Sequence, residues 1–289
     1  MKPRRSALYM PGANARALEK AKSLAADLLI LDLEDAVAPE AKAAARVNIA
    51  EAFAGEGYGR KQVALRTNGH ATTWFADDLA LAADVGVSAV LVPKVGSGPD
   101  VAAIRAQMSA ARIAPTVELM AMIETPAGVL NVSEIAALAP GDAYPLTCFV
   151  IGTNDLVKET RATLDAARTA ALYWLSATVT AARAHGIDVL DGVYNAFKDL
   201  EGYRAECEQG RMLGMDGKTL IHPSQIEIAN EVFSPTAEAV AEARRILAAF
   251  ALPENQGKGV ISIDGRMIEL LHADMARRTV AFADAIGLV

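Results

Sequence analysis

The sequence predicts an α/β fold, a barrel of eight β/α units with a C-terminal helical and hairpin extension. Two observations carry that prediction. Short runs that are apolar throughout alternate with longer segments of helical periodicity, the pattern of a parallel sheet covered on both faces. Nearly every run also ends in polar or special residues, as expected where a site is assembled at the carboxyl ends of many strands rather than at one switch point. The 289 residues suit a single (β/α)8 TIM barrel of about 250 residues with an addition.

In chain order, the first run is Ser6–Pro11 (SALYMP), closed by Pro11–Gly12 and followed by a helical stretch over Asn14–Ala25. The second, Leu28–Glu34 (LLILDLE), ends in Asp32, Glu34 and Asp35 and leads to a helix over Glu40–Phe53. Gln62–Asn68 ends in Arg66-Thr67-Asn68, and Ala89–Lys94 ends in Pro93-Lys94 before a helix over Asp100–Ala111. Glu118–Glu124 and Thr147–Gly152 end in Glu124-Thr125-Pro126 and Gly152-Thr153-Asn154-Asp155. A helical pattern over Leu164–His185 precedes Val189–Val193 with its Asp191–Gly192, and Glu201–Leu213 precedes the last run, Gly217–Pro223, which ends in His222–Pro223. No GxGxxG or GxxxxGK[ST] follows any run, so dinucleotide and P-loop readings have no support.

The barrel is therefore expected over residues 1–233 and the extension over 234–289. In the extension Ser234–Pro235 opens a helix to about Phe250, Pro253–Gly259 is a polar break, Gly259–Gly265 reads as a hairpin and a last helix starts near Met267. GVISIDGRMIELL is too apolar to lie free in water, so the extension must cap the barrel or reach a neighbouring subunit.

Hydrophobic residues make up 52% of the chain but aromatics only 5%, which points to many Ala- and Leu-rich helices on a buried sheet and excludes disorder. Net charge is −7 with a pI near 5.2, and no basic block is available to release counterions from nucleic acid. Anionic metabolites must then be caught by a few placed cations. Cys148 and Cys207 have no metal-ligand or disulfide spacing and read as small buried hydrophobes. MKPRRSALYMPG reaches Pro11–Gly12 before a signal core could form, and no apolar run approaches the ~18 residues of a membrane span. The expectation is a cytoplasmic protein with no membrane partner.

Glu124 and Asp155 end the fifth and sixth runs, which are neighbours in a barrel. Two carboxylates close together repel unless a proton or cation lies between them. Mg2+ held by two carboxylates, with water and substrate oxygens, fits this pair, and each acid could otherwise cap the helix that follows. Arg66 is placed to grip a carboxylate bidentately; its alternative is an ion pair with Asp32–Asp35. That acidic cluster needs partners, for which Lys94, Lys20 and Arg66 are available. Asp32 reads as structural, Glu34 and Asp35 as support for the site. His222 reads as structural.

Taken in order, RSALYMPGAN, LLILDLEDAVAPEAKAAAR, VALRTNG, VLVPKV, MIETPAG, IGTNDL, GMDGKTLIHPSQI and GKGVISIDGRMIE resemble the citrate lyase beta-subunit-like and malyl-CoA lyase family over nearly the whole chain. The resemblance implies a Mg2+-dependent carbon–carbon lyase, with Mn2+ as a substitute, acting on a citryl-, malyl- or citramalyl-CoA-like thioester to give an acyl-CoA and a 2-oxo acid. It assigns Arg66 to the oxo-acid carboxylate, Glu124 and Asp155 to the metal, Asn154 to the substrate, and Tyr9 and Lys20 to the CoA part. It also implies a homo-oligomer, a trimer, in which the extension completes a neighbour's site. Two departures mark this chain: Asn14 stands where malyl-CoA lyases carry arginine, and Glu269 where the family usually has aspartate. A longer stretch after the sixth strand in malyl-CoA lyases is also absent. Asp35 and Glu269 are the candidates for the base. The alternatives are a malyl-CoA thioesterase, a class II aldolase on free 2-oxo acids and a subunit of a lyase complex.

Overall fold

Strand β1 (Ser6–Pro11) pairs in parallel with β2 (Leu28–Asp32), and the ladder continues through β3 (Gln62–Arg66), β4 (Ala89–Val92), β5 (Glu118–Ile123), β6 (Leu146–Ile151), β7 (Asp188–Asp191) and β8 (Gly217–Leu220). The computed structural model of the chain describes residues 2–54, 57–59, 61–141 and 143–288. Among these, β8 returns to β1 and the eight strands close into a barrel. All eight expected runs are strands, with ends shifted by a few residues at most.

Side chains alternate across each strand, so every second residue points into the barrel. There Ala7, Leu28, Ile30, Ala64, Ala89, Leu91, Met120, Met122, Cys148, Val150 and Leu190 form one buried cluster, with Tyr9 packed against it. The small Ala7, Ala64 and Ala89 leave room for the flexible Met120 and Met122, which fill irregular space readily. Cys148 and Cys207 are free thiols and both are buried.

Helices α1 (Ala15–Ala21), α2 (Lys42–Phe53), α3 (Phe75–Val85), α4 (Gly98–Ala110), α5 (Pro126–Leu130), α6 (Val132–Ala137), α7 (Thr153–Thr160), α8 (Leu172–Ala184) and α9 (Leu200–Met212) fall between the strands. Several begin where the chemistry of capping dictates. Asn14, Ser97, Thr125 and Asp199 each accept a backbone N–H from the first turn of α1, α4, α5 and α9, supplying an acceptor that a helix start otherwise lacks. Two expectations fail here. The helix foreseen over Leu164–His185 starts only at Leu172, because Arg168 takes a left-handed φ of 52° and a 3-10 turn over Thr169–Ala171 follows. The helix α7 was not foreseen: it begins directly after Gly152, so Asp155 lies inside its first turn and does not cap a later helix.

Arg4–Glu231 form one compact unit, and the chain from Val232 onward groups into another. The short α10 (Ile226–Val232) runs to the end of the first; in the second, α11 (Ala237–Ala251) comes first, and β9 (Val260–Ile263) pairs antiparallel with β10 (Arg266–Glu269) before α12 (Leu270–Ala285). Met267–Glu269 is therefore strand, not the start of the last helix. Asp264 and Gly265 both take positive φ, 50° and 76°, giving the tight turn that Asp-Gly favours, so the hairpin extends equally on both sides of it. No helix among the described residues is long and apolar enough to cross a membrane.

Candidate active site

At the carboxyl ends of the strands lies a cavity of about 370 Å3, lined among others by Tyr9, Asp32, Asp35, Arg66, Glu124, Asn154, Asp155 and Asn195. It thus gathers most of the residues the sequence singled out. Lys20 stands apart, exposed on α1 and not among the lining. Glu269 belongs to the other unit, where its N–H donates to His272 Nδ1 (3.0 Å) at the start of α12.

Arg66 leaves β3 beside Asp32 of β2, and the two form a fork: Nε to Oδ1 and Nη2 to Oδ2, both 2.7 Å. Asp32 is held in turn by the N–H groups of Glu34 (2.8 Å) and Ala36 (3.2 Å), which curl the chain off the strand. Glu34 therefore leaves the strand and does not share a strand face with Asp32. It still reaches the arginine, its Oε2 lying 3.0 Å from Arg66 Nη1, with Asp35 Oδ2 at 3.6 Å. Lys94 pairs with the other Glu34 oxygen. The guanidinium also covers the Tyr9 ring at 4.7 Å. Arg66 is ion-paired to Asp32, as its structural alternative expected, and also lines the cavity, with Nη1 outside the fork and beside Glu34.

Glu124 follows β5 and is fully buried. Its Oε1 accepts the Lys94 N–H (2.8 Å), while Oε2 has no partner. Burial pushes this carboxyl up to about 8, the Glu34 charge adds to the effect, Lys94 opposes it and Asp155 adds again. A buried, unpartnered carboxylate oxygen is costly unless a proton or a cation satisfies it. Gly152 explains how the acid fits, because a Cβ at that position would run into the Glu124 side chain. Asp155, in the first turn of α7, is half-buried and lines the same cavity. Among the described residues no set of three or more His, Cys, Asp or Glu is gathered as metal ligands. Two carboxylates therefore suit a hard cation that keeps water or substrate oxygens in its shell, and a closed structural metal site does not fit.

Asn154 and Asn195 form a reciprocal amide pair across the mouth, Asn195 Nδ2 to Asn154 Oδ1 at 2.8 Å and Asn154 Nδ2 to Asn195 Oδ1 at 3.3 Å. Asn195 was missed: it lies in a loop after β7 with no local pattern to mark it. Thr219, also in the lining, was missed as well. Asp191 departs from the strand-end rule, since it faces away from the cavity and is buried between Lys218 (2.9 Å) and Arg168 (2.7 Å). His222 caps a 3-10 turn and stacks on Phe197 at 4.8 Å, a structural role.

The profile of a family described as HpcH/HpaI aldolase/citrate lyase matches residues 5–223. The chain is 49% identical to a (3S)-malyl-CoA thioesterase of Cereibacter sphaeroides, over 99% of this chain and 96% of that protein. It is 36% identical to an L-malyl-CoA/beta-methylmalyl-CoA lyase of the same species, with the same coverage. That second alignment spans 310 positions, more than the 289 residues of the chain, so the lyase carries insertions relative to it. Among solved structures, protein CitE from Mycobacterium tuberculosis in complex with magnesium, acetoacetate and coenzyme A superposes with a TM-score of 0.74 at 30% identity, over 96% of this chain and 97% of that one. The chain belongs to the HpcH/HpaI aldolase/citrate lyase family.

Proposed function

We propose that this member of the HpcH/HpaI aldolase/citrate lyase family hydrolyses a 3-hydroxyacyl-CoA thioester of the malyl type, with Mg2+ held by Glu124 and Asp155. The observation that carries the chemistry is the buried, unpartnered Oε2 of Glu124 beside a second cavity-lining acid. When bound, Mg2+ or Mn2+ would stabilise oxyanion charge, an effect worth several kcal/mol. Arg66 offers its Nη1 edge to the substrate carboxylate, and the Asp32 fork keeps that edge oriented. Asn154 and Asn195 present amide groups at the mouth, and Tyr9 closes the floor beneath Arg66.

For hydrolysis, a carboxylate takes a proton from water as the water oxygen adds to the thioester carbonyl. The carbon–sulfur bond then breaks and the thiolate leaves with that proton, giving the free hydroxy acid and CoA. Asp35 lines the cavity with its side chain 60% exposed, open enough to meet a water and serve as that base. Hydrolysis is preferred over carbon–carbon cleavage because the thioesterase relative is the more similar of the two and the lyase carries the insertions. Glu269 in place of the family's aspartate adds to this, since one extra methylene moves the carboxyl by about 1 Å, enough to redirect proton transfer.

Cleavage is the second reading, supported by the lyase relative. There the base removes the hydroxyl proton, the carbon–carbon bond breaks, and the acyl-CoA leaves as an enolate that is then protonated. The extension supports an oligomer for either reaction: Val260, Met267, Leu270, Leu271 and Met275 are all large, apolar and exposed on it, the kind of patch that marks an interface. A trimer in which Glu269 reaches a neighbour's cavity fits that face. The deciding experiment is a product assay on malyl-CoA with and without Mg2+. Free malate with CoA supports hydrolysis, acetyl-CoA with glyoxylate supports cleavage, and turnover of free hydroxy acids without CoA would replace both with an aldolase.

A further inference from the structure

Lys94 departs from an ordinary strand end in two ways. Its φ of 57° lies in the left-handed region that a side-chain-bearing residue rarely adopts. That turn aims its N–H at Glu124 Oε1 (2.8 Å) and leaves Oε2 as the unpartnered oxygen. Its ammonium pairs with Glu34, whose other oxygen lies 3.0 Å from Arg66 Nη1. One residue is thus tied to both halves of the site, by backbone to the carboxylate proposed for the metal and by side chain to the arginine proposed for the substrate. Yet Lys94 is not among the residues lining the site cavity; it lines a separate one with Lys42 and Trp74.

We propose that Lys94 is a positioning residue that keeps Arg66 available to an incoming carboxylate by sharing the charge of Glu34. This rests on the metal and substrate roles proposed above. Around the mouth, five carboxylates (Asp32, Glu34, Asp35, Glu124 and Asp155) outnumber the cations beside them, Arg66 and Lys94, with Lys42 behind Glu34 and Asp35. Without Lys94 the anionic substrate meets one more uncompensated negative charge, and Glu34 draws on Arg66 alone. The same loss makes the site no worse, and electrostatically better, for a cation. Anion affinity must therefore fall while cation affinity holds or rises, a split that local unfolding would not produce.

The test measures two affinities in Lys94→Met: glyoxylate with saturating Mg2+ by calorimetry, and Mn2+ alone by electron paramagnetic resonance. Glyoxylate should bind roughly tenfold more weakly, the scale of one partly screened charge, while Mn2+ binds equally or more tightly. Lys94→Gly, which keeps the backbone turn without strain, should behave like Lys94→Met, and Lys94→Arg should recover most of the loss. Unchanged glyoxylate binding, or both ligands weakened together, overturns the role of Lys94. Glu124→Ala separates this from the underlying reading: if wild-type protein shows no Glu124-dependent Mn2+ binding, the proposed site falls and this inference falls with it.

Discussion

The two ends of the barrel are both lined with buried charge, and they handle it in opposite ways. At the amino end Arg4 is saturated. It pairs with Glu118 (2.5 Å) and Asp188 (2.8 Å), donates to Gln62 (3.1 Å) and bonds both the carbonyl and the hydroxyl of Thr147 (3.2 Å each). Glu118 is further held by Gln62 (3.0 Å) and Thr147 (3.0 Å). At the carboxyl end Glu124 keeps a buried oxygen with no partner, and Glu34 Oε2 meets Arg66 as an ion pair without hydrogen-bond geometry. A closed network stabilises the fold; an open one costs stability until a ligand completes it. The contrast sets a satisfied charge network against an open one within one sheet.

The most direct test removes a charged residue from each end. Asp155→Ala or Glu124→Ala should lower Mg2+-dependent turnover by roughly three orders of magnitude, the scale of losing several kcal/mol of charge stabilisation, with the fold intact by circular dichroism. Normal turnover in either variant, or undiminished activity in EDTA, would mean the upper cluster is structural after all. Arg4→Met should do the reverse. Removing the cation beside the buried Glu118 carboxylate should cost about 3–5 kcal/mol in urea unfolding, while activity per folded molecule stays near wild type.

Arg66→Lys sharpens the comparison, because Arg66 alone belongs to both kinds of network. Loss of its planar fork should cost about 2–4 kcal/mol in transition-state stabilisation, read as kcat/KM. If only thermal stability changes, the Asp32 pair is its whole role.

A further test concerns pH. Burial raises Glu124 from 4.5 to about 8, so the folded chain holds a proton that the unfolded chain releases above about pH 4.5. That contribution to stability is complete below the unfolded value and lost as pH rises through about 8. Metal-free protein should lose stability steadily between about pH 5 and 8. Glu124→Gln should flatten the slope, and Mg2+ should reverse it by favouring the carboxylate. A pH-independent midpoint in EDTA would show that the oxygen is satisfied in solution.

The eight strands were legible in the amino-acid order, because a strand buried on both faces must be apolar throughout and its end must turn polar. Arg66, Glu124 and Asp155 were legible for the same reason, as charged groups at the ends of runs that tolerate none. Local rules reached the capped helix starts too, since Asn14, Ser97, Thr125 and Asp199 act within a few residues of themselves. Which strand-end groups share a space was settled only by barrel closure. Asp191 and Asp32 look alike in sequence, yet one faces outward to Lys218 and the other inward to Arg66, and a one-residue difference in strand phase reverses the side. Lys94 was legible as a partner for the acidic cluster and pairs with Glu34, but the turn that aims its N–H at Glu124 was not, and Asn195 carries no local signal because its partner Asn154 is distant in sequence. Side-chain periodicity encodes which face a residue takes, but the company it keeps there depends on strands brought together only when the barrel closes.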